Sequence, residues 1–176
     1  SDLNLIVRLN SPQILIKNNT IVLSRLDLFL GIKSLFDTSL LLKKIEVEFA
    51  KNNIRDLTKI TNIFVPRIIN RQIEKIFKEG VIEGEFTIPF DLNGNVASEY
   101  GFSGRLLDAS INLTKEVEIK NLSMEINFEK NKKGNITNID IQKGKIFDLD
   151  LADSKIKLKL DNKSTQIDSL LRTNGN

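Results

Sequence analysis

From Val81 to Phe90 the chain reads VIEGEFTIPF, with Ile82, Phe86, Ile88 and Phe90 on one parity and Glu83, Glu85 and Thr87 on the other. A period of two describes a strand with one apolar face. The same period runs through Leu5, Val7 and Leu9, through Ile14 and Ile16, and through Leu26, Leu28, Leu30 and Ile32. In KKIEVEFAKN, Ile45, Val47 and Phe49 share one side and Lys44, Glu46 and Glu48 the other. Asn18-Asn19 suits a hairpin turn, because Asn tolerates the left-handed backbone such turns need.

From Asn53 the period lengthens: Leu57, Ile60, Phe64 and Ile68, then Ile69, Ile73, Ile76 and Phe77, fall at helical spacing. Asn53 with Asp56 reads as a start signal and Gly80 as a stop, while Pro66 inside the run predicts a break and a second helix over about 67–78. Strands then resume. Two are expected at 100–107 and 110–113, and Gly101-Phe102-Ser103-Gly104 reads as a turn or bulge, since no helix follows to make it a phosphate loop. In VEIKNLSMEINFEKN, Leu122, Met124, Ile126 and Phe128 face one way, and Lys132-Lys133-Gly134-Asn135 makes the next turn. Phe147, Leu149 and Leu151, then Ile156, Leu158 and Leu160, alternate with Asp148, Asp150, Lys155, Lys157 and Lys159. The resulting division is one domain over 1–176: strands over 3–50, a helical insert over 54–79, strands over 81–160, and a tail over 161–176 that holds a last helical turn or the start of another strand repeat.

Composition narrows the chemistry. The 176 residues include no Cys and no His, which removes the usual zinc sites, disulfides and thiol or imidazole catalysis. Lys and Arg number 26 against 23 Asp and Glu, with the signs interleaved along the strands, so no nucleic-acid footprint is expected. A mean hydropathy of −0.15 and the absence of a long apolar run exclude a membrane-spanning helix within the sequence. The opening Ser-Asp-Leu-Asn shows neither an initiator Met nor a signal pattern, and reads as a piece of a longer polypeptide. Asp148 and Asp150 have the spacing of a carboxylate pair, which would suit acid/base catalysis or a hard cation. Their plainer reading is a solvated strand face opposite Lys155, Lys157 and Lys159. The Asn-x-Ser/Thr triplets at Asn18, Asn112, Asn121, Asn135 and Asn162 are expected by chance in so Asn-rich a chain. No cofactor and no metal is expected.

Area then becomes the question. Roughly nine strands at about 4.8 Å spacing make a sheet about 40 Å wide, and one helix about 10 Å across covers about two of them. Either the sheet closes on itself as a barrel or sandwich with a sealed core, or it curls into a trough covered by something else, an acyl chain for example.

The order of elements, with NNIRDLTKITNIFVPRIINRQIEKIFKEGVIEGEFTIPFDLNG between two strand series, resembles the AsmA-like superfamily of bacterial envelope proteins that includes TamB and YhdP, and most of all the YhdP-type central region. Asp56-Leu57, Pro66, Gly80 and Gly84 stand at the places of its Asp-Leu, helix Pro and following glycines. That resemblance implies a mainly β fold: a curled antiparallel sheet forming an open groove, a β-taco, with one Pro-broken helical segment. It further implies a non-enzymatic segment of the periplasmic part of an inner-membrane-anchored protein, which binds acyl chains and takes part in phospholipid transport toward the outer membrane. The expected partners are phospholipid acyl chains, other segments of the same polypeptide and envelope membrane proteins. The expected groove floor is Ile45, Val47, Phe49, Ile82, Phe86, Ile88, Leu122, Met124, Ile126, Phe128, Leu149, Leu151, Ile156 and Leu158. The competing expectation is a structural or adaptor sandwich or barrel with a sealed core.

Overall fold

The structure, a computed structural model, describes residues 4–16, 19–31, 41–56, 75–132, 134–161 and 164–175. Alternation of β-branched and aromatic residues with charged ones produces eleven strands: β1 (Asn4–Asn10), β2 (Gln13–Ile16), β3 (Asn19–Gly31), β4 (Leu42–Asn53), β5 (Phe77–Pro89), β6 (Tyr100–Asn112), β7 (Glu118–Asn131), β8 (Gly134–Ile146), β9 (Leu149–Asp161), β10 (Thr165–Leu170) and β11 (Thr173–Gly175). They form one antiparallel sheet in the order β1-β3-β4-β5-β6-β7-β8-β9-β10, with β2 beside β3 and β11 beside β9. The sheet does not close, and every described strand belongs to it, with Ile54 of the short helical turn packed on part of one face. The chain is mainly β, as expected.

Each lateral edge is one strand broken in two. Ser11, at φ 49°, and Pro12 separate β1 from β2, and both pieces pair with β3. Leu171 and Arg172 separate β10 from β11 on β9, where the Arg172 amide donates to Ser154 Oγ at 2.9 Å. These breaks are the two ends of a crease that crosses the sheet. Register shifts occur between Leu23 and Arg25 in β3, Phe49 and Asn52 in β4, Glu79 and Val81 in β5, Leu106 and Ala109 in β6, and Lys120 and Ser123 in β7. Asp108, Asn121 and Asp153 have φ of 46°, 50° and 47° along this line. Extra residues of this kind bend the strand that carries them and sharpen its twist, so a continuous row of them curls the sheet.

Several local expectations are corrected by this arrangement. Gly80 does not stop a helix: β5 already begins at Phe77, and Gly80, at φ 136°, lies inside it where a Cβ would stand 2.7 Å from that of Ala109. The strands expected at 100–107 and 110–113 are one strand with the crease in its middle. Phe147 and Asp148 leave the strand face, because Ile146 pairs directly with Leu149 and the two residues between them form the turn. Phe147 accordingly has φ 52° and is 69% exposed. The tail from residue 161 supplies the second edge. Of the helical insert, residues 54–56 and 75–76 are helical, and Asn53 Oδ1 accepts from the Arg55 amide at 2.9 Å, the N-cap bond its position predicts. Residues 57–74, with Pro66 and most of the expected helical stripe, lie outside the described residues, as do Lys17 and Asn18 of the first hairpin turn.

Candidate functional site: the apolar face of the sheet

Directly opposed residues of an antiparallel sheet project to the same side, so the register assembles the apolar positions into rungs. One rung crosses nine strands: Leu9, Leu26, Val47, Phe86, Phe102, Phe128, Thr137, Leu158 and Ile167. The next rung toward the crease is Leu23, Phe49, Gly84, Gly104, Ile126, Ile139, Ile156 and Ser169. A third, at the crease, is Asn52, Ile82, Leu106, Met124, Ile141 and Ser154. Away from the crease, Val7, Leu28, Ile45 and Ile88 start the outermost rung.

Gly84 and Gly104 face each other in the second rung, and this is where close approach demands glycine. A Cβ on Gly104 would lie 2.6 Å from Cζ of Phe102, and one on Gly84 would meet the Ser103 carbonyl and the Phe102 ring. The ring of Phe102 therefore lies over the two glycines, filling with an aromatic surface the gap that two missing side chains leave. Gly101-Phe102-Ser103-Gly104 thus lies in the first half of β6 in unbroken register, and the turn or bulge expected there does not form.

Burial divides the face at the crease. Leu106, Ala109, Leu122, Met124, Ile141 and Leu151, joined by Ile54, Ile111 and Ile119, pack into a dry cluster, with Leu106 and Ala109 wholly inaccessible and Leu122 1% exposed. Beyond the crease, Ile45, Val47, Phe49, Phe86, Ile88, Ile126, Phe128, Ile156 and Leu158 are only half-buried. Of the expected floor, then, Leu122, Met124 and Leu151 sit in the dry cluster, Ile82, Ile126 and Ile156 pack against it, Val47 and Phe49 pack against a second buried pair, Ile21 and Leu23, Leu149 stands 41% exposed at the hairpin end, and the other five, Ile45, Phe86, Ile88, Phe128 and Leu158, lie on the open part. Leu28 and Phe102 belong to that open part as well, while Leu26 packs against Ile21 and Leu23 and Ile139 against the dry cluster; all four were missed, although Leu26 and Leu28 follow the alternation already read in β3. The flanking glycines obscured Phe102.

At the usual strand rise and spacing these rungs span about 14 Å along the strands and about 38 Å across them.

The opposite face is polar and internally matched. A cleft of about 490 Å³ there is lined by Glu48, Glu83, Glu85, Arg105, Glu125 and Asn127 among others. Arg105 meets Glu83 at 2.6 Å, Arg25 meets Glu48 at 3.4 Å, and Gln142 donates to Glu125 at 3.0 Å. Near the first edge, Arg8 donates through Nε and Nη2 to the two oxygens of Asp27, both at 2.8 Å, tying β1 to β3. These bonds hold the Asp27 carboxyl below the usual carboxylate range against the opposing effect of desolvation, with the charges of Arg8 and Arg25 adding to them. Asp150 is opposite Lys145, and Lys155 is opposite Asp140 with 3.7 Å between their charged atoms, so the cross-strand pairing expected of Asp148 and Asp150 with Lys155, Lys157 and Lys159 does not occur. Among the described residues no group of three or more acidic side chains is placed to hold a metal. Comparison of the chain with protein-family models, with curated proteins and with solved structures finds no match.

Proposed function

We propose that the chain is a non-enzymatic hydrophobic-groove segment that binds acyl chains and takes part in phospholipid transport between inner and outer membranes. In this reading it belongs to the periplasmic part of an inner-membrane-anchored envelope protein. Its partners are acyl chains, further segments of the same polypeptide at the sheet edges, and envelope membrane proteins. The observation that supports the proposal is the half-buried apolar residues beyond the crease, on a sheet that does not close into a barrel. Each CH₂ moved from water onto such a surface is worth about 0.8 kcal/mol, so a long tail exceeds the cost of ordering it. The loose likeness to AsmA-like sequences supplies the membrane context.

A structural or adaptor domain with a sealed core is the second reading, favoured by the dry cluster around Leu106 and Leu122. The two separate in one experiment. A photoreactive residue at Phe86, on the open floor, should crosslink to lipid in bacterial envelopes and in the purified protein, while the same probe at Glu85, on the polar face, should not. Equal labelling at both sites, or no lipid in extracts of the purified protein, would end the groove proposal.

A further inference from the structure

The outermost rung of the apolar face changes character halfway across the sheet. From β1 to β5 it is aliphatic, whereas on β6 and β7 it holds the opposed pair Tyr100 and Lys130. Tyr100 stands on the apolar side: its ring centroid is 6.1 Å from that of Phe86 and 5.9 Å from that of Phe128. Lys130, two residues beyond Phe128 on β7 and so on the same side, places Nζ 5.0 Å from the centroid of the Tyr100 ring. Lysines 44, 78, 120, 143 and 155 each lie within 4 Å of a carboxylate. Lys130 makes no ion pair among the described residues. Lys130 is half-buried as a residue, and an ammonium beside an aromatic ring at the border of an apolar floor, lacking a carboxylate partner, is available to an anion.

We infer that Lys130, positioned by Tyr100, takes the anionic headgroup of a lipid whose acyl chain lies over Phe86, Phe102 and Phe128. The inference rests on the groove reading above and adds the class of ligand: an amphiphile with a phosphate or carboxylate head. The ammonium donates to a headgroup oxygen at the rim, where water still reaches the rest of the head, and the tail runs from there onto the floor. Charge complementarity selects this occupant over a neutral lipid.

The test uses the full chain loaded with the neutral fluorophore diphenylhexatriene, displaced by dodecyl phosphate or by dodecan-1-ol below their micelle concentrations. Dodecyl phosphate should displace it about tenfold more effectively. That margin should shrink to about twofold in Lys130→Gln and persist in Lys130→Arg and in Lys155→Gln, whose lysine is on the polar face. No margin in the native chain, or an unchanged one in Lys130→Gln, would overturn the inference while leaving the groove standing. Loss of the margin in millimolar inorganic phosphate would mark a free-anion site and overturn it too. A fluorophore that never binds would remove the groove itself.

Discussion

Leu122 and Leu158 are the same side chain on the same face of one sheet, yet the fold places them differently. Leu122 is 1% exposed inside the dry cluster, and Leu158 is half-buried on the open floor between Thr137 and Ile167. Leu122→Ala removes buried carbon and leaves a cavity that its closely packed neighbours cannot fill, for a loss of about 3 to 4 kcal/mol. Leu158→Ala removes carbon already partly in water and leaves a space that water occupies at once, for about 1 kcal/mol. The difference of about 2 kcal/mol is about thirtyfold in the folding equilibrium. Urea unfolding of both variants, with the m-value checked against the native chain, measures it directly. Leu158→Ala should also retain less lipid, whereas Leu122→Ala, where still folded, should not differ in lipid content. Equal losses of stability would mean that the far part of β9 is covered as well as the core is, and the reasoning from an open face would fall.

Gly80→Ala should destabilise the chain by about 1 to 3 kcal/mol, since it puts a Cβ on backbone at φ 136° and against Ala109; an unchanged melting temperature would show that the crease can relax there. Asp27 titrates below the ordinary carboxylate range because Arg8 bonds to it, so its contribution to stability is complete above about pH 3.9 and is lost as pH falls through the lowered folded value. An NMR titration should therefore place its midpoint below that of a free Asp, and Arg8→Ala should move it upward; a native midpoint at or above the free value would refute the cause assigned.

The strands were legible because their signal is local. In β4, β5 and β7, two-residue alternation names both the element and the inward side, and five of the fourteen expected floor residues lie clear of both buried clusters on that side. The crease was not legible, since an extra residue in a strand looks in sequence like the end of one strand and the start of another, as the division of β6 at Asp108 shows. Burial depth was equally hidden. Met124 and Phe128 alternate identically along β7, and only the bend of the sheet and the packing of Ile54 against the cluster decide that the first is dry and the second half-covered. Phe147 shows a further limit: an apolar residue in phase with Leu149 is indistinguishable from a strand position until the Ile146–Leu149 pairing makes it a turn.

The path from β1 to β10 has nine strands, and with every neighbour antiparallel an odd count leaves the two outermost strands pointing the same way. Identical copies set side by side by translation would thus meet through a parallel seam, while chain continuing from either border by a tight hairpin would make an antiparallel one. Growth by the second route keeps the hydrogen-bond pattern already used throughout and carries the oily rungs onward without interruption, so such a sheet can be lengthened strand by strand with no change of architecture.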